Sequence, residues 1–127
     1  MDENAIAREI VDAAFQIHQH FGPGLLESVY EVVLAYELRE RGLTVERQVP
    51  ISIKYKTFRF DEAYRYDLLV GDIVIVEVKS IEEVLPVHKK QVITYLKLLD
   101  KRLGLLINFN TELIKQGITR LVNGLPD

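Results

Sequence analysis

The chain contains no cysteine, so neither a disulfide framework nor a thiolate metal site is possible. None of its apolar runs approaches the length of a membrane-spanning helix. The first residues, Met1-Asp2-Glu3-Asn4, are acidic and lack the basic and apolar regions of a signal peptide. We therefore expect a cytoplasmic protein that does not enter a membrane.

An excess of positive charge is also missing, because the formal net charge is −3. This balance argues against a generic binder of polyanions, and any contact with nucleic acid has to use a local basic patch or a metal ion. The hydrophobic content of 48% and charged content of 28% are ordinary for a soluble globular domain. A length of 127 residues suits one domain and is too short for two, so residues 1–127 are predicted to form a single domain.

Apolar periodicity and turn residues divide the chain into helices and strands. Helices are predicted over residues 3–21, 25–41 and 86–100. Strands are predicted over residues 45–49, 51–55, 64–70, 73–80 and 104–109, and residues 118–122 fit either a strand or a helix. The second helix is expected to turn its apolar side inward through Leu26, Val29, Tyr30, Val33 and Leu38. This order of elements predicts an α/β sandwich with a mixed central sheet.

Charged residues interrupt two of the predicted strands. Asp67 lies on one, and Glu77 and Lys79 lie on the next, which is otherwise apolar. Burying such charges is costly unless they are paired or bind a metal, and residues two apart on a strand share a face. Two carboxylates and an ammonium at one strand end therefore predict a divalent-metal site with a lysine beside it. The alternative is a buried ion-pair network without chemistry.

The turn between these strands decides whether the acids meet. A plain two-residue turn at Gly71-Asp72 would pair Asp67 with Val76 and leave it out of register with Glu77. The site therefore predicts a wider turn, a bulge, or strands that separate at the acids.

These residues resemble the core of the PD-(D/E)XK nucleases, with Asp67 followed by Glu77-Val78-Lys79. The segment Gly24-Leu25-Leu26-Glu27-Ser28-Val29-Tyr30 resembles the signature of the GxxExxY proteins, a branch of that superfamily. Similar segments follow at residues 62–67, 88–96 and 104–109, and the resemblance covers roughly residues 6–123. It implies a restriction-endonuclease-like αβββαβ core of three layers, preceded by an extra N-terminal helix.

The resemblance also implies Mg²⁺- or Mn²⁺-dependent hydrolysis of phosphodiester bonds in DNA or RNA. Asp67 and Glu77 would ligate the metal, with the backbone carbonyl of Val78 as a further ligand. Glu27 would approach from its helix and bind the metal directly or through water. Lys79 would position or deprotonate the attacking water, and Gln91 would lie at the edge of the pocket.

Some interpretations stay open at this point. Taken alone, Glu27 is equally well explained as a first-turn acid favoured by the helix dipole, and Gln91 fits pocket or surface. Lysine and arginine cluster at Lys54, Lys56 and Arg59, but such a cluster is usually a solvated face.

Two other functions compete with a nuclease. The same fold could serve as a non-catalytic module that binds nucleic acid or protein, or the acids could hydrolyse a small phosphorylated substrate. So short a nuclease has little beyond its catalytic core, so specificity would come from a protein partner, a homodimer or the structure of the nucleic acid.

Overall fold

A five-stranded sheet with helices on both faces is formed by residues 1–126, the part of the chain that the computed structural model describes. The helices are α1 (Glu3–Phe21), α2 (Glu27–Glu40), α3 (Pro86–Leu99) and the single turn α4 (Ile114–Gly117). The strands are β1 (Val45–Tyr55), β2 (Phe58–Val70), β3 (Val74–Lys79), β4 (Leu103–Asn108) and β5 (Ile118–Val122).

The strands follow one another across the sheet in the order β1-β2-β3-β4-β5. β3 and β4 are parallel and are joined through α3, whereas the other neighbouring strands are antiparallel. Strands that are parallel need a crossover connection, and a helix is its usual form. The sheet is therefore mixed, as the sequence predicted.

Two apolar clusters lie on opposite faces of the sheet. Alternate residues of β3 divide between them, with Val74 and Val76 in the cluster under α1 and α2, and Ile75 in the cluster under α3. Because both faces are covered, β3 and β4 are buried along almost their whole length. The predicted three-layer α/β fold with an extra N-terminal helix is confirmed.

Asp2 caps the start of helix α1, since its side chain accepts a hydrogen bond of 2.8 Å from the backbone N–H of Ala5. Its apolar stripe packs inward as the periodicity indicates. The prediction for α2 is partly wrong, because Leu26 is 73% exposed and Val29 is also exposed. The buried side of α2 is rotated, and it consists of Tyr30, Glu31, Leu34, Ala35 and Leu38.

The β region differs from the prediction at two places. The chain passes through Pro50 without a break, which is tolerated because β1 lies at the edge of the sheet. β2 begins at Phe58, six residues before the predicted start, and pairs with β1 over this added length. The ambiguous residues 118–122 form the strand β5.

Among residues 1–126, no helix is long and apolar enough to cross a membrane. The cytoplasmic location and the single-domain organisation stay predictions.

Gly104 on β4 allows α3 to lie close to the sheet. A Cβ atom at this position would come within 2.7 Å of Cγ1 of Val92, a buried residue of α3. We expect Gly104→Ala to lower the free energy of unfolding by about 1 to 3 kcal/mol, because the core is already filled. Urea denaturation of the single variants and of Gly104→Ala/Val92→Ala tests this. The double variant should be more stable than the sum of the two single effects predicts, and simple additivity would contradict the contact.

Candidate active site

The backbone ladder between β2 and β3 ends just before the two predicted acids. The strands pair through Leu68 and Val76, then Leu69 and Ile75, then Val70 and Val74, which leaves three residues in the turn. Continuing this register would place Asp67 opposite Glu77. The wider turn that the site requires is therefore present, and the pairing stops where the acids begin.

Side-chain hydrogen bonds replace backbone pairing at this point. The N–H of Asp67 donates to Oε1 of Glu77 over 2.9 Å. The N–H of Val78 donates to Oδ2 of Asp67 over 2.8 Å. Each carboxylate thus fills a backbone position that the strands leave unpaired when they separate. The acids are held together by the fold itself, with one oxygen of each still free of these two bonds.

Glu77 and Lys79 lie at the C-terminal end of β3. Glu77 is only 3% exposed, whereas Lys79 at the strand end is partly exposed. Residues two apart on a strand point to one face, so the ammonium group extends from the same side as the buried carboxylate.

Glu27, the first residue of α2, approaches the end of β3. Its Oε1 accepts a hydrogen bond of 3.3 Å from the N–H of Ser80, and the Ser80 hydroxyl donates to the carbonyl of Leu25 over 2.9 Å. Behind this loop, the buried Tyr30 hydroxyl donates to the carbonyl of Gly22 and accepts from the N–H of Leu25. The first residue of α2 is therefore bonded to the residue that follows β3. The loop before α2 is bonded to Tyr30 within the helix.

A cleft of about 460 Å³ brings most of the predicted site residues together. Its lining comprises Leu26, Glu27, Ser28, Glu31, Tyr64, Asp67, Glu77, Val78 and Lys79. Five of the predicted site residues are in this set. Gln91 is not: it lies on an exposed part of α3 and does not line the cleft.

Glu31 is a cleft residue that the sequence did not predict. It is buried one helical turn after Glu27, and its carboxylate accepts from Arg47 over 2.9 Å and from the side-chain amide of Gln48 over 2.8 Å. The spacing of four between Glu27 and Glu31 on one helix was the available signal. The contacts with β1 come from folding and leave no pattern in the sequence.

Gln48 connects the helix acid to the strand acid. Besides Glu31, its side-chain amide donates to Oδ1 of Asp67 over 3.3 Å. Its backbone has φ 54°, a left-handed conformation that costs a non-glycine residue about 1 kcal/mol. At this position β1 changes face: Val45 packs in the α1/α2 cluster, while Val49 packs in the α3 cluster. This local change of the backbone at Gln48 places its side-chain amide between the carboxylates of Glu31 and Asp67.

Tyr64 closes the cleft on the side of α3. Its ring stacks on that of Tyr95, with the ring centroids 4.7 Å apart. Burial, followed by the nearby charge of Glu77, raises the pKa of the Tyr64 hydroxyl, so it stays protonated near neutral pH. Tyr64 is therefore a neutral wall of the cleft and a hydrogen-bond donor.

Burial raises the pKa of both strand acids. The pKa of Asp67 rises to about 6, and the largest cause is desolvation. The pKa of Glu77 rises to about 7, first through desolvation and then through the charge of Asp67. Lys79 opposes this shift but does not cancel it. Four carboxylates, those of Glu27, Glu31, Asp67 and Glu77, line the cleft beside a single lysine, so acids outnumber cations in the lining.

The acids do not form a complete metal cage. In the described part of the chain, no three His, Asp or Glu side chains are arranged to hold a metal ion. Mg²⁺ nevertheless binds proteins through only one or two carboxylates and keeps several waters. The two hard carboxylates of Asp67 and Glu77, beside an open cleft, fit that requirement.

The family of this chain follows from a comparison with family models. Residues 4–121 match the model of the PD-(D/E)XK nuclease superfamily, and the chain belongs to that superfamily. No curated protein and no solved structure matches the chain significantly. Membership of the GxxExxY branch stays a prediction that rests on Gly24, Glu27 and Tyr30.

The raised pKa values predict how stability depends on pH without metal. The pKa values of Asp67 and Glu77 are higher in the folded chain than their ordinary values of 3.8 and 4.5, so both groups bind protons more tightly when the chain is folded. Stability from these groups is greatest below the ordinary values and is lost as the pH rises through about 6 and 7. At pH 8 we expect the free energy of unfolding of Asp67→Asn/Glu77→Gln to exceed that of the wild type by about 1 to 3 kcal/mol.

The measurement is urea denaturation in EDTA at pH 4 and pH 8. The amides keep the acceptor oxygens that bind the two backbone N–H groups, so the difference isolates charge. The matched variant Glu82→Gln/Glu83→Gln changes two exposed acids and should give no comparable gain. An equal gain in both variants would mean that net charge, and not burial, is responsible.

Proposed function

We propose that this protein is a metal-dependent nuclease that hydrolyses phosphodiester bonds of DNA or RNA. The observation that carries the proposal is the reciprocal pair of hydrogen bonds between Asp67 and the strand of Glu77 and Val78. It holds the half-buried carboxylate of Asp67 and the buried carboxylate of Glu77 beside Lys79 in a cleft, and a superfamily of nucleases supplies the family context.

Asp67 and Glu77 would hold a Mg²⁺ or Mn²⁺ ion, with the Val78 carbonyl as a further ligand. When bound, such an ion supplies positive charge that stabilises the negative charge developing on a phosphate. The chemistry of the donors supports this assignment, because all are hard oxygens. The excess of acids over cations in the cleft lining supports it as well, since a cation would relieve the repulsion between the two acids.

Lys79 is assigned to position the attacking water and to help remove its proton. It extends from the same face of β3 as Glu77 and lines the same cleft. The ammonium form can orient a water and stabilise charge on the phosphate, and the neutral amine form can accept the proton of the attacking water.

Glu27 and Glu31 are assigned to the helix side of the cleft. Glu27 faces the end of β3, where it can accept from a water in the cleft. Glu31 lies next to Gln48, which also contacts Asp67, so it positions the strand acid. Gln91 keeps its predicted role at the pocket edge only if nucleic acid extends over α3.

Nuclease activity predicts metal-dependent cutting that requires Lys79. Labelled single- and double-stranded DNA and RNA are incubated with the wild type and Mg²⁺ or Mn²⁺. Lys79→Ala should lower the cleavage rate by about 10²- to 10⁴-fold, because a positioned proton-transfer group contributes that much. EDTA should abolish cutting, and Lys115→Ala, which removes an exposed lysine outside the cleft, should cut like the wild type.

Other results would separate the competing functions. Metal binding without cutting of any of the four polymers would favour a non-catalytic module or an enzyme that needs a partner. Hydrolysis of a small phosphodiester but of none of the polymers would favour a small-substrate phosphohydrolase. A homodimer would be one source of specificity, and light scattering of the same preparation tests it.

Metal binding can be measured without any substrate. A ligand at a hundredfold its Kd stabilises a folded protein by about 2.7 kcal/mol, which for a chain of this size shifts Tm by about 10 °C. We expect Mn²⁺ or Mg²⁺ to raise Tm in this way at pH 8 and much less at pH 5, where the raised pKa values keep Asp67 and Glu77 protonated. Lys79→Ala should keep the shift, and Asp67→Asn/Glu77→Gln should lose it. A shift that survives in the amide variant would place the metal elsewhere.

A further inference from the structure

The paired strands β1 and β2 extend beyond the rest of the sheet. β3 pairs with β2 only from Leu68 to Val70, whereas β1 and β2 stay paired as far as Tyr55 and Phe58 at the tip. We call residues 52–65 the arm. Every residue of the arm except Ala63 is exposed, and α3 contacts the arm at its base, where Tyr64 stacks on Tyr95.

One face of the arm is apolar and largely aromatic. Tyr55 lies directly opposite Phe58, and Ile53 lies directly opposite Phe60, so the four side chains form two cross-strand pairs. All four are exposed, and Tyr55 and Phe58 are the most exposed at 66% and 62%. Aromatic rings held open to solvent in this way have no structural role in the core.

The arm is also the basic part of an acidic chain. It contains Lys54, Lys56, Arg59 and Arg65 against two acids, while the remaining residues carry 12 basic and 17 acidic side chains. Lys54 and Arg59 form a cross-strand pair on the face opposite the rings. Lys56 at the tip lies with its Nζ 5.4 Å from the centroid of the Tyr55 ring. The arm thus combines stacking surfaces with cations that suit phosphates.

The base of the arm opens into the candidate active site. The register of β1 against β2 shifts between Ile51 and Ile53. Tyr64 lies on the inner side of this irregularity, opposite Ile51, and lines the cleft that contains Asp67 and Glu77. Aromatic residues therefore continue from the tip of the arm to the acids.

We propose that the arm binds an unpaired polynucleotide strand and leads it into the cleft. This inference rests on the proposed function for the identity of the substrate. Bases of an unpaired strand present free π faces that stack on aromatic side chains, with each stacked base contributing substantially to affinity. Bases inside a duplex are already stacked on one another, so the rings of the arm have nothing to bind there. The arm therefore selects single strands or unpaired ends over blunt duplex.

The experiment measures binding in EDTA, so that it does not depend on cleavage. Fluorescence anisotropy gives the Kd of the wild type for a labelled single strand, as DNA and as RNA, and for a blunt duplex of the same length. Tyr55→Ala/Phe58→Ala removes the two most exposed rings, and Phe21→Ala/Tyr36→Ala removes the same two residue types from exposed positions outside the arm. Circular dichroism checks that both variants are folded.

We expect the wild type to bind the single strand at least tenfold more tightly than the duplex. Tyr55→Ala/Phe58→Ala should weaken single-strand binding by about tenfold or more, since loss of one stacked base already has that effect. The control variant should bind like the wild type. Lys54→Ala/Arg59→Ala should weaken binding and reduce its dependence on salt. These results support the proposal whether or not the wild type cuts.

Several outcomes would overturn it. No binding by the wild type, or equal binding by the arm variant and the control, rules out the arm even if metal-dependent cutting is observed. Equal affinity for duplex and single strand rules out the preference for unpaired bases. If light scattering shows that the arm variant turns a dimer into a monomer while its affinity for the strand is unchanged, the rings bind a second copy of the chain instead.

Discussion

Two side-chain hydrogen bonds at the point where β2 and β3 separate hold the candidate site together. The carboxylate of Asp67 accepts the N–H of Val78, and the carboxylate of Glu77 accepts the N–H of Asp67. Each bond satisfies a backbone group that would otherwise be left unpaired near the core. The separation of the strands and the convergence of the acids therefore depend on each other: a residue without an acceptor at either position would lose both.

The negative charge of the cleft is balanced unevenly. Glu31 has Arg47 and Gln48 as partners, whereas Asp67 and Glu77 share only backbone donors, Gln48 and the neighbouring Lys79. A structural ion-pair network would be expected to neutralise its most buried acids first. Here the most buried strand acid, Glu77, has no arginine partner among the ion pairs of residues 1–126. That imbalance favours a ligand of positive charge over a purely structural role.

The parts of the fold that depend on local sequence were predictable. Helical periodicity located α1. Asp67, Glu77 and Lys79 were recognised as candidate site residues because charges on apolar strands are costly to bury unless they are paired or bind a metal. Glu31 and Gln48 were not predicted, since their roles arise from contacts between α2 and β1 that no local pattern encodes. Leu26 and Val29 were placed inward by their apolarity alone. Both are exposed, and Leu26 lines the cleft, where α2 turns its acids toward the strands.

The site is made from residues that lie far apart along the chain. Glu27 precedes the sheet, and its partner Ser80 follows 53 positions later in the chain, after β1, β2 and β3. Contacts at such separation form late, because loop closure must be overcome before they are gained. A partly synthesised or partly folded chain therefore has the acids but not their arrangement. The proposed hydrolysis thus requires the completed tertiary structure, because only that structure brings Glu27 to the end of β3.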